Sequence, residues 1–227
     1  MNKLIEVSGL HKSYLSGGRR IEVLKGVDFS FGKGESFAVV GASGVGKSTL
    51  LNLIGALDRP DSGSIRFNGK ELDMFLPEDL AHFRNFKIGF IFQFFHLLPE
   101  FSALENVIMP YLIRGMEEER AKKRAEMLVS EVGLLERATH HPSELSGGEQ
   151  QRVAIARAIM GEPEVILADE PTGNLDEETG ERVFSLLFSL KERHGLSLIL
   201  ATHNLKLAER CDRVMRLENG RLNPLFP

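Results

Sequence analysis

Residues 41–49 read GASGVGKST, directly after the apolar run SFAVV of residues 36–40 and directly before LLNLIGAL of residues 50–57. The order is buried strand, glycine-rich turn, helix at apolar spacing. The nine residues match G-x-x-x-x-G-K-[ST] at every fixed position, a pattern that average composition would produce in about one chain in a hundred of this length. Glycines let a backbone curl around phosphate, N–H groups at the helix start point into the curl, and the helix dipole favours anions there. Lys47 would then reach the β- and γ-phosphates of a nucleotide, and the Ser48 hydroxyl would ligate Mg2+. A glycine-rich turn without a ligand is the plain alternative. Its placement between a buried strand and a helix favours the phosphate cradle.

The rest of the chain supplies the setting. LIEV and IEVLKGVDFSF alternate like strands around a turn at residues 16–18, and SIRFNG and IGFIFQ read as further strands. From residue 94 to about residue 160 the character changes to three helical stretches, SALENVIMPYLIRG, EEERAKKRAEMLVSEVG and GEQQRVAIARAIMG. Strands return in EVILAD and LSLILAT, with the helical EETGERVFSLLFSLKERH between them. Strand–helix alternation implies a mostly parallel sheet. The helical block reads as an insertion, 94–160, into a core formed by 1–93 and 161–227. In EEERAKKR, Glu118 and Lys122 stand at favourable i,i+4 spacing on a solvated face.

Composition bounds the function. The 227 residues carry 42% hydrophobic and 26% charged side chains and a net charge of −4, so no nucleic-acid partner is implied. Cys211 is the single cysteine and suits a reducing compartment. No apolar run is long enough to span a bilayer or to act as a signal peptide. The expectation is a cytosolic chain whose membrane connection, if any, comes through a partner.

Several further residues invite chemistry. EVILADEP, residues 164–171, ends an apolar strand in two carboxylates. Beside a phosphate loop, Asp169 would support Mg2+ and Glu170 would polarise an attacking water. His203 ends the strand LSLILATH and Gln93 ends IGFIFQ, and strand ends on one side of a parallel sheet converge on the ligand. LSGGEQQR, residues 145–152, looks like a second phosphate cradle without a lysine; Ser146-x-x-Glu149 is also a valid capping box. LSGG at residues 15–18 has no helical run after it and reads as a turn.

In their order along the chain, the phosphate loop, Gln93, LSGGEQQR, ILADEP, GNLD (173–176) and His203 resemble the ATP-binding subunits of ABC transporters, over essentially the whole length. That resemblance implies an α/β P-loop NTPase (RecA-like) core with a parallel sheet, an antiparallel β subdomain and an inserted α-helical subdomain. It implies ATP held by Tyr14, stacking on adenine, and by Gly41, Ala42, Ser43, Gly44, Val45, Gly46, Lys47, Ser48 and Thr49. It implies Mg2+ on Ser48, Gln93 and Asp169, and catalysis by Glu170, His203, Gln93 and Lys47. Two copies would pack head to tail, with Ser146, Gly147, Gly148 and Glu149 covering the ATP of the partner and Asp176 at the interface. The incomplete cradle then needs no lysine, because the partner's phosphate loop supplies one.

HLLPEFSALENV, residues 96–107, further resembles the lipoprotein-releasing subgroup, although Phe95 stands where histidine is expected. The implied partners are two integral inner-membrane subunits of LolC/LolE type, meeting Phe94, Phe95, Leu97 and Leu98 on the cytoplasmic face. ADEPTGNLD, residues 168–176, also fits macrolide-exporter and regulatory cell-division ATPases, which remain alternatives.

Overall fold

The computed structural model describes residues 3–225. Its elements run β1 (Lys3–Ser16), β2 (Arg19–Gly32), β3 (Ser36–Val40), α1 (Lys47–Ile54), β4 (Ser62–Phe67), β5 (Lys70–Glu71), α2 (Pro77–Lys87) and β6 (Ile88–Ile91). There follow α3 (Ala103–Ile113), α4 (Glu118–Glu131), α5 (Gly147–Met160), β7 (Val165–Asp169), α6 (Glu177–His194), β8 (Ser197–Thr202), α7 (Leu205–Ala208), β9 (Arg213–Glu218) and β10 (Arg221–Pro224). The chain divides into two compact units. Among the described residues, the first takes those up to Arg84, Leu167–Asp169 and those from Ser197 on; the second takes Asn85–Ile166 and Glu170–Leu196.

In the first unit β3 is a central strand. It runs parallel to β8, from Ser36 opposite Leu198 to Val40 opposite Thr202, and parallel to β9 on its other edge. Both β3 and β8 are buried at every position, the continuous burial of a strand covered on both faces. Fully burying one such side chain, Phe37 for instance, contributes roughly 1.5–3 kcal/mol. Because Val40 lies opposite Thr202, Gly41 and His203 leave the sheet at the same end. β10 closes the far edge antiparallel to β9.

A second sheet of the first unit is antiparallel, in the order β2-β1-β4-β5. β1 and β2 form one long hairpin around a tight turn at Gly17 and Gly18, as the early LSGG suggested. The alternation in the sequence marked only parts of these strands. Register shifts, one of them between Val7 and Leu10, break the alternation where the ladder bulges and continues. α2 escaped the sequence reading because it buries only Leu80 and Phe83; the Phe83 ring packs edge-on against Phe67 at 4.9 Å.

The second unit is mainly helical. Ser102 and Glu105 form a complete capping box at the start of α3, as their spacing predicts. α4 buries Ala121, Ala125, Leu128 and Val129 at helical spacing. Its ion pair joins Glu119 and Lys123 at 3.5 Å, one position beyond the Glu118 and Lys122 expected. The pair is set by which side chains lean together on the exposed face, and spacing alone fits either.

Candidate nucleotide site

The phosphate loop lies in the first unit between β3 and α1. Gly46 caps α1 with φ 113°, a left-handed conformation, and a Cβ there would sit 2.6 Å from Val23 Cγ1. Glycine is therefore required on two counts. No acidic residue stands in the first turn of α1, so nothing within the helix offsets the positive end of its dipole. Lys47 is buried and its ammonium arches back over the loop, donating to the Gly41 carbonyl at 2.9 Å and the Ala42 carbonyl at 3.2 Å. Ala42, Ser43, Gly44 and Ser48 are exposed, while Val45 and Thr49 are half-buried.

Tyr14, near the end of β1, is 41% exposed, with the Lys12 ammonium over its ring at 5.2 Å from the centre. Its hydroxyl donates to Asp58 Oδ2 at 2.9 Å, and Asp58 Oδ1 accepts from the buried Lys12 at 2.8 Å. Burial first, and then the Asp58 carboxylate, push the Tyr14 phenol up. Burial would raise Asp58, but the bonds from Lys12 and Tyr14 outweigh it and hold that carboxyl low. The neutral phenol and the anionic carboxylate thus fix the ring in place.

Asp169 ends β7, half-buried, and the boundary between the units falls just after it. Glu170 opens the next segment with φ 46°, and its carbonyl accepts from the Gly173 N–H at 3.0 Å across a turn. A residue before proline normally takes an extended conformation, and a left-handed glutamate costs roughly 1–3 kcal/mol. His203 is exposed just beyond β8, followed by Asn204, whose side chain caps α7.

The second unit carries the remaining candidates. Gln93 lies two residues past the end of β6 rather than within the strand, and its amide pairs with Asn174. Ser146 caps α5 with both arms of a capping box. Ser146 Oγ accepts from the Glu149 N–H at 3.3 Å, and Glu149 Oε2 accepts from the Ser146 N–H at 2.8 Å. The Ser146 N–H first and its hydroxyl second, with Arg137 and Arg152 nearby, hold the Glu149 carboxyl below the usual range. Gly147 and Gly148 are half-buried, and a Cβ on Gly148 would sit 2.6 Å from Thr179 Cγ2. Gly148 thus lets α5 approach α6, a packing duty the phosphate-cradle reading had missed. A cleft of about 510 Å³ opens beside the α5 start, lined by Ser146, Arg152, Thr179 and Arg182 among others. Asp176, expected at an interface, caps α6 by accepting from the Thr179 N–H at 2.9 Å, a bond that lowers its pKa. Asp-x-x-Thr ahead of an apolar-periodic run is a cap signal that sequence alone offered.

After Gln93 the chain forms an apolar loop. Phe94 is 66% and Leu98 39% exposed, whereas Phe95 and Leu97 are half-buried. Phe95 and His96 offer their carbonyls to the guanidinium of Arg157, on α5, at 2.8 and 2.5 Å. The fully buried Asn106 accepts from the Leu98 N–H at 2.7 Å and donates to the carbonyls of Leu98, Phe101 and Ser102. The loop is therefore held from behind by polar side chains while Phe94 and Leu98 face outward and the Phe95 ring lies beside Gly147 at the start of α5.

Comparison with known proteins follows the same lines. The family model for the ABC transporter matches residues 24–173. The lipoprotein-releasing system ATP-binding protein LolD of Geobacter metallireducens is 54% identical over 222 residues, 98% of this chain and 99% of the relative. LolD of Syntrophus aciditrophicus is 52% identical over 219 residues, 96% of this chain and 98% of the relative. The ATP-binding cassette MJ0796, solved as a dimer in a post-hydrolysis state with ADP and Pi, matches with a TM-score of 0.89 at 38% identity, covering 98% of this chain and 99% of that one. With the family match spanning the phosphate loop and the carboxylates, and relatives half identical along nearly the whole length, the chain belongs to the ABC transporter family as one of its ATP-hydrolysing subunits.

Proposed function

We propose that this subunit drives release of lipoproteins from the inner membrane, working as a pair of copies on the cytoplasmic side of two integral membrane subunits of LolC/LolE type. The observation that carries the reading is the 54% identity to a lipoprotein-releasing ATP-binding protein over 99% of that protein's length. The outward apolar loop after Gln93 supports it, since exposed contiguous apolar groups mark a docking surface. Among the described residues no helix is long and apolar enough to cross a membrane.

Each candidate residue has a duty in this reading. Tyr14 stacks on adenine, and the N–H groups of residues 41–49 cradle the phosphates. Lys47, already aimed across the loop, exchanges its carbonyl partners for the β- and γ-phosphate oxygens. Glu170 takes a proton from the attacking water, and His203 donates to the γ-phosphate. From the second copy, Ser146, Gly147 and Gly148 present the α5 N-terminus to the same phosphate, with Glu149 holding Ser146 in place and Asp176 at the junction.

Mg2+, when bound, neutralises charge on the β- and γ-phosphates. The donors suit it: the exposed Ser48 hydroxyl, the Asp169 carboxylate and the Gln93 amide oxygen are hard ligands few in number.

Reconstitution tests the proposal. The chain, combined with its two membrane subunits in proteoliposomes, is expected to release a lipid-anchored protein when ATP is added. Intact ATP hydrolysis without release would remove the lipoprotein reading. Leu98→Asp places a charge in the docking loop and should reduce both co-purification with the membrane subunits and release about tenfold, while ATP binding by the isolated chain stays unchanged. Undiminished co-purification would remove the loop from the contact.

A further inference from the structure

Gln93 and Asn174, both in the second unit, hold each other by two hydrogen bonds. The Asn174 amide NH2 donates to the Gln93 backbone carbonyl at 3.0 Å, and Gln93 Nε2 donates to Asn174 Oδ1 at 3.0 Å. An amide side chain offers a donor end and an acceptor end of nearly equal shape, so its orientation is decided by its partners. Here the partners decide it stepwise. A backbone carbonyl only accepts, so the end of Asn174 that meets it is the NH2 group. Asn174 then turns its oxygen toward Gln93. That oxygen also only accepts, so the end of Gln93 that meets it is again an NH2 group. The Gln93 Oε1 is thereby turned away from Asn174.

The approach is close along the whole side chain. A Cβ on Gly173 would lie 3.0 Å from Gln93 Nε2 and 3.2 Å from Gln93 Cδ. The turn that brings Asn174 there is the one closed by the Glu170 carbonyl and the Gly173 N–H. One turn therefore carries both the candidate base and the partner of the candidate metal ligand.

We propose that Asn174 is the positioning residue that sets the polarity of the Gln93 amide, so that an oxygen and not an NH2 group is offered to the metal and its water. The inference rests on the reading of Gln93 as a Mg2+ ligand. Its physical stake is the sign of the interaction. An amide oxygen is a hard donor for Mg2+, whereas an NH2 group presents protons to the cation and repels it. Without Asn174 the two orientations of Gln93 differ little in energy, and part of the population points the wrong end at the ion.

Mn2+ reports this directly. Its affinity for the chain loaded with a non-hydrolysable ATP analogue is measured by electron paramagnetic resonance of the free ion. Asn174→Ala is expected to weaken Mn2+ binding about twofold, the loss when only about half of the Gln93 amides turn their oxygen to the ion. Asn174→Asp keeps an oxygen for Gln93 Nε2 and should restore the parent affinity. Asn174→Leu, similar in size and without polar atoms, should not. Metal-free binding of the analogue and the melting temperature should match the parent in every variant, since Asn174 is exposed. In a Gln93→Ala background, Asn174→Ala should add no further loss. A full additional loss in that background, or a gain from Asn174→Asp in it, which would mark a bare charge effect on the cation, overturns the positioning role. If Gln93→Ala alone leaves Mn2+ affinity at the parent value, the assignment of Gln93 to the metal fails first, and the role of Asn174 fails with it.

Discussion

Glu170 stands in a backbone conformation that few glutamates adopt, immediately after the carboxylate of Asp169. Five other described non-glycine residues share a left-handed backbone, Glu162 among them, so what singles out Glu170 is its place beside Asp169, and water activation is the use proposed here. Glu170→Gln keeps the size and the backbone and removes only the base. Hydrolysis should fall about 10²–10⁴-fold with ATP binding intact, read by single-turnover kinetics and nucleotide binding on the same preparation. Near-normal turnover would take Glu170 out of the role. At this scale the phosphate loop was legible because its chemistry lies in consecutive residues. The Gln93–Asn174 pair was not, because its partners lie 81 positions apart and nothing in either local sequence names the other. The duty of Gly148 was hidden for a similar reason, since the methyl it makes room for belongs to Thr179.

Among the elements, α3, α5 and α6 were the most legible; α3 and α5 start with the capping boxes that their spacing required, and α6 was marked by its apolar periodicity alone. β9 and β10 passed unread, their short polar sequences having too little apolar periodicity. α5 itself serves two demands, an anion-facing start and a tight seat on α6. Gly148→Ala tests the second. The added methyl meets Thr179 Cγ2 and should cost about 1–3 kcal/mol in urea denaturation. Thr179→Ser removes that methyl and keeps the hydroxyl, so the double variant should recover most of the loss. A Gly148→Ala chain as stable as the parent would show that the contact yields without cost.

For the whole molecule, the α/β architecture followed from strand–helix alternation, and the MJ0796 match bears it out. The order of strands in each sheet did not follow, because register and neighbour choice depend on long-range pairing that a single sequence does not display. The proposed head-to-tail pair makes each ATP the shared property of two copies. Lys47→Ala and Ser146→Arg should each abolish occlusion of ATP alone. Mixed, they form heterodimers in which one site carries both lesions and the other carries none. Occlusion should return at the intact site, read as stoichiometric trapping of labelled ATP. Heterodimers that form and trap nothing would refute the shared arrangement.

One contact within the second unit reaches further than its size suggests. Arg157 grips the carbonyls of Phe95 and His96 from α5, the helix whose first residues follow Ser146. An α-helix advances 1.5 Å per residue, so roughly 16 Å of continuously hydrogen-bonded rod separates the backbones of Ser146 and Arg157. Such a rod does not telescope. In the proposed pair of copies, a shift imposed at Ser146 by an arriving phosphate would pass along α5 to the loop bearing Phe94 and Leu98, with the guanidinium of Arg157 as the coupling pin. The Phe95 ring itself lies beside the start of α5, 3.7 Å from where a Cβ on Gly147 would be, so the loop is tied to that helix at two points, directly at its first residue and again through Arg157.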